Sequence, residues 1–247
     1  MPFLSIIPLE FPTEPEDVRI DEPVSRAGIM LIIYSALELF SVALRVYVRY
    51  FLFPSYGEVE GVISFWKSFT ILSIGVDVPV MLALIFLALR SKKLGGLVRN
   101  TLIKYSFIPL LCFSFLRLVN SLYTLIKIDL LLEAIRIKLT TPQATFPDYI
   151  EKAIEVSYTI DKATTLAAMT AFLMLGYGYY ALSISIKPLK KISFPSFLMI
   201  MSSFLLFLGF SMIMIDLSAL FLGKRLRDSA PELLKKKTEK TQKIIGH

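Results

Sequence analysis

Histidine is almost missing from this 247-residue chain: the single one is His247. A helical bundle that binds b-type haem through paired imidazoles needs histidines inside its apolar segments, so that class is excluded. A histidine-rich zinc or iron site goes with it, as does a Ser-His-Asp hydrolase. Cysteine is as scarce. Cys112 stands alone inside an apolar run, so no disulfide can form within the chain, and it reads as a small buried hydrophobe. Asn and Gln number four (Asn100, Asn120, Gln143 and Gln242), in keeping with a thermophile that avoids labile side chains. Walker A, GxGxxG, HExxH and nucleophile-elbow patterns are absent. Paired-aspartate clusters of the Mg²⁺-dependent lipid-phosphate transferases have no counterpart either. No catalytic residue and no cofactor is expected.

Charge is also in short supply. Asp, Glu, Lys and Arg make up 19% of the residues, against ~25% in a soluble domain. Hydrophobic residues make up 55%, and the mean hydropathy is +0.66. The chain therefore falls in the membrane class. Its formal charge of +7 comes from short basic clusters between apolar runs, a pattern that anchors helices to headgroups. Nucleic acid is not an expected partner.

The stretch around which the rest is arranged is 27–53, AGIMLIIYSALELFSVALRVYVRYFLF. It is long enough to cross a bilayer, yet it holds Glu38, Arg45 and Arg49. At 100° per residue these three fall within about 40° of one another. Tyr34 and Ser41 lie beside them. Lipid makes such a stripe costly, so it should face protein or water.

Four further spans follow, at about 62–89, 101–126, 163–186 and 195–222. The expected architecture is an all-α polytopic membrane bundle of five transmembrane helices, its membrane domain covering 27–223. Within the second span, Gly75-Val76-Asp77-Val78-Pro79 predicts a kink, because proline removes a backbone hydrogen bond and frees a carbonyl. Trp66 suits an interface. The third span carries Arg117, Asn120, Ser121 and Thr124, and helical character runs on past it. An unbroken helix over 101–139 would be ~58 Å long, so residues 127–162 should form a projecting helical hairpin. Ala163, Ala167, Thr170, Gly176 and Gly178 give the fourth span small residues for close helix approach.

Residues 1–26 hold five of the thirteen prolines and six carboxylates, which predicts an extended acidic arm. Residues 224–247 read as a basic tail. In it Lys224, Arg225, Arg227, Lys235, Lys236 and Lys237 are the expected contacts to lipid headgroups or a partner. Five crossings put the two ends on opposite sides. Lys and Arg then divide ten against fifteen, favouring the N-terminus outside and the tail in the cytoplasm of a multi-pass cell-membrane protein.

The buried ionisable set is Glu38, Arg45, Asp77, Arg117 and Asp216, with Arg117 expected to pair with Asp77 or Glu38. Mutually neutralised charges imply a non-catalytic structural or accessory subunit of a larger membrane complex. Its partners would be the bilayer, other membrane subunits and structural lipids. The rival expectation is a small transporter or channel that uses these charges around a kinked second span.

Overall fold

The structure, a computed structural model, describes residues 20–48, 59–207 and 212–245, with side chains from 236 onward and at Phe207 outside the description. It is all-helical, with no strand among the described residues. The helices are α1 (Asp21–Tyr47), α2 (Val59–Leu97), α3 (Thr101–Tyr105), α4 (Phe107–Ile126), α5 (Ile128–Thr140), α6 (Asp148–Ser185), α7 (Ser193–Phe207) and α8 (Ile213–Ile245). A 3-10 helix, Lys187–Ile192, leads into α7. Five segments are long and apolar enough to cross a membrane: Asp21–Tyr47, Val59–Leu97, Thr101–Ile126, Asp148–Ser185 and Lys187–Leu206.

In α1 the buried positions are Val24, Ala27, Gly28, Leu31, Tyr34, Ser35, Glu38 and Ser41. These steps of three and four residues define one helix face, apolar at its start and polar toward its end. The opposite faces of the bundle expose Phe40, Phe86, Phe115, Ile184 and Phe194. Cys112 lies on the outside of α4, exposed rather than buried as expected.

Several expected boundaries move. Helix α1 begins at Asp21, so the acidic arm does not extend to residue 26 as a separate segment. Pro23 is tolerated because a first-turn N–H has no intrahelical partner, and Asp21 and Glu22 suit the positive end of the helix dipole. Residues 1–19 and Arg49 lie outside the described residues. The expected continuous helix over 101–139 is interrupted at Ser106 and at Lys127. Pro109 accounts for the first break. Its ring would crowd the Tyr105 carbonyl four residues back, and the Ser106 hydroxyl donates to the Ile103 carbonyl at 2.7 Å. Helix α2, by contrast, runs unbroken through Pro79.

The largest departure is the fifth span. Residues 195–222 do not form one helix: α7 and α8 lie antiparallel, with Ser202 Oγ and Ser218 Oγ 3.0 Å apart and Lys191 ion-paired to Glu232. Each of these serines also donates to the carbonyl four residues back in its own helix, at 2.7 Å, so the hydroxyls tolerate burial in the seam and the pair marks where α7 and α8 meet. Helix α8 then follows α1 in the reverse sense. A Cβ built on Gly28 would stand 2.6 Å from the Gly223 carbonyl, and one on Gly223 would stand 2.6 Å from the Gly28 carbonyl. Residues 224–230 thus belong to the bundle instead of starting a solvated tail; Leu226 and Ala230 are buried. Asp21 and Glu22 line a groove with Arg227, Asp228 and Leu234, so the first and last described segments share one end of the molecule. The expectation of opposite ends concerns the two termini, and residues 1–19 and 246–247 lie outside the described residues.

Candidate functional site: a buried ionic cluster

Two helices supply the acids and two supply the bases. Glu38 sits about 25 Å along α1 from Asp21, on the buried face just described. Arg45, two turns further, reaches across to α2. Asp77 faces inward from the α2 stretch where Pro79 deprives the Gly75 carbonyl of its helical donor. Arg117 projects from α4, whose Ser114 hydroxyl donates to the Met81 carbonyl of α2 at 3.2 Å and fixes the register of the two helices.

Arg117 is the hub. Its Nη2 donates to Asp77 Oδ1 at 2.6 Å, and its Nη1 lies 2.8 Å from Glu38 Oε2. The second contact is an ion pair without good hydrogen-bond alignment. Arg45 Nη2 donates to the same Asp77 Oδ1, also at 2.6 Å. The planar fork of a guanidinium suits this bridging of two carboxylates. Side-chain exposure is 6% for Glu38, 9% for Arg117 and 12% for Asp77, but 38% for Arg45. The cluster is therefore sealed on the Glu38 side and open on the Arg45 side. Its two acids and two bases cancel.

No family model, curated protein or solved structure matches the chain.

The cluster opens into a cleft of about 160 Å³. Asn120 and Ser121 of α4 line it, with Asp161, Thr164 and Thr165 of α6, while Phe113, Ala168 and Met212 contribute apolar surface. Asp161, Thr164, Thr165 and Ala168 follow the three-and-four spacing of one helix face. That signal is present in the sequence, but the expected boundary at residue 163 divides it between hairpin and span.

Asp216 stands apart. The structure brings it close enough to feel Glu38 and Arg117, yet it forms no ion pair with them. It is fully buried, and neither carboxylate oxygen has a well-formed hydrogen bond. The hydroxyl of Tyr34, also buried, is the polar group beside it. Tyr34 itself is held by stacking on Phe172 of α6, 5.4 Å between centroids. The other expected site residues fall elsewhere. Gly75 has open space around it. Lys224, Arg225, Arg227 and Lys235 are exposed along α8, whereas the side chains of Lys236 and Lys237 lie outside the described residues. No group of three or more metal-ligating side chains occurs among the described residues.

Proposed function

We propose that the chain is a multi-pass integral membrane protein and serves as a non-catalytic accessory subunit within a larger membrane assembly. The observation that carries this reading is Arg117 clasped between Glu38 and Asp77, with Arg45 completing the neutral set. Charges arranged this way fix which helices touch and at what depth, a specifying role known for buried ionic groups. Apolar side chains on the outer faces support immersion in lipid. The extension made by the start of α2, α5 and the start of α6 supports contact with a partner. It is braced by Lys67–Asp129 at 3.0 Å and Arg136–Glu60 at 2.6 Å, and it presents Tyr149, Val156 and Tyr158 outward. Extraction from the native membrane in mild detergent, followed by native mass spectrometry, is the test. Stoichiometric partners lost on Asp77→Asn are expected; a chain that always runs alone overturns the reading.

A second reading, a small transporter or channel, draws on the cleft and on Asp216, a buried acid that forms no ion pair. It predicts solute flux in liposomes containing this chain only, abolished by Glu38→Gln. The accessory reading predicts none.

A further inference from the structure

The doubling back of α7 and α8 changes how charge is distributed between the two ends of the bundle. At one end lie residues 20–26, 90–106, 187–193 and 223–235. Their adjacency rests on the Lys191–Glu232 pair, on a crevice formed by Glu22, Arg26, Arg90 and Lys93, and on the approach of Gly95 to the Lys104 backbone. These segments contain thirteen Lys and Arg against four carboxylates. Carboxylates pair with three of the thirteen, namely Arg26, Lys191 and Arg227. At the other end, 59–67 and 127–162 contain six Lys and Arg against seven carboxylates. Short connections rich in Lys and Arg stay on the cytoplasmic side during insertion, whereas acidic residues count little. The basic segments here are short: the 90–106 and 187–193 connections are both far below the length at which the rule lapses.

We propose that the end bearing Asp21, Lys190 and Lys235 faces the cytoplasm and rests on anionic headgroups of the inner leaflet, while the α5–α6 turn projects from the opposite surface. This rests on the membrane reading and reverses the side expected for the N-terminal end. The occupant follows from charge: a surface with nine more bases than acids among its described residues complements the negative cytoplasmic leaflet.

Single cysteines placed in a Cys112→Ala background test the orientation: Asp21→Cys, Gln143→Cys and Lys235→Cys, probed with a membrane-impermeant maleimide on spheroplasts. Gln143→Cys should label on intact spheroplasts, and the other two only after permeabilisation. The reverse pattern overturns the orientation, and different behaviour of Asp21→Cys and Lys235→Cys overturns the shared end. Release of the protein by alkaline carbonate would instead overturn the membrane reading beneath it. For the headgroup contact, the purified chain is reconstituted in equal phosphatidylcholine and phosphatidylglycerol, and its retained lipids are weighed by native mass spectrometry. Phosphatidylglycerol should be enriched severalfold, and the enrichment should fall when Lys187, Lys190 and Lys191 are all changed to Gln. Equal retention, or enrichment that the triple variant leaves unchanged, overturns that contact.

Discussion

Asp77 and Asp216 are both buried carboxylates on long helices, but their surroundings give their amides different consequences. Asp77→Asn leaves Arg117 with Glu38 alone and strands Arg45, which at 38% exposure keeps part of its hydration, so the loss should be about 1–3 kcal/mol, below the cost of a fully buried lone charge. Thermal unfolding in detergent should show that loss. Asp216 has no ion pair to abandon, and its like-charged neighbour Glu38 acts on it more strongly than Arg117 does. Asp216→Asn should therefore leave stability within about 1 kcal/mol of the parent or raise it, since the amide adds donors at a site short of hydrogen bonds. Equal losses from the two variants would contradict the account of the cluster. The meeting of Glu38, Asp77 and Arg117 is readable in the sequence, because ionised groups in apolar runs have few places to go but each other. The isolation of Asp216 is not. It depends on which helix covers α1, and no local pattern around residue 216 carries that information.

The crossing of α1 and α8 rests on two glycines. Helix association in lipid gains little from the hydrophobic effect and depends on close backbone contact, so Gly28→Val should cost more than its helix propensity would return. The carbonyl 2.6 Å from the added Cβ is backbone and cannot swing aside. Gly75→Ala offers the contrast. Nothing stands within 4 Å of its added methyl, and replacing an interior helical glycine should gain about 0.5–1 kcal/mol. The pair of melting temperatures checks both expectations. Helix types and the long apolar segments follow from periodicity alone, and so does the use of Gly176 and Gly178, which meet Ile200 and Ile103. The reversal between α7 and α8 could not be read that way. A 28-residue apolar run satisfies the length of one crossing, and only the serine pairing and the groove on α1 reveal that it is divided. The break at Lys127 has no sequence signal that we can identify.

With one tryptophan, the molecule reports its own depth. Trp66 lies one residue from the Lys67–Asp129 pair and packs edge-on to Phe69, 5.6 Å between centroids. In liposomes of the full chain, lipids brominated near the headgroup should quench its fluorescence more than lipids brominated near the bilayer centre. Stronger quenching from the centre would place the hairpin end too shallowly. The association of α1 with α8 bears on biogenesis. Among the described helices α1 is made well before its lengthwise partner α8, so the Gly28 notch that receives Gly223 and Leu226 stays open until those residues have been synthesised. The α1–α8 seam can therefore close only after α8 is made, and an insertion factor that shields a notched helix during that wait would raise the yield of folded protein.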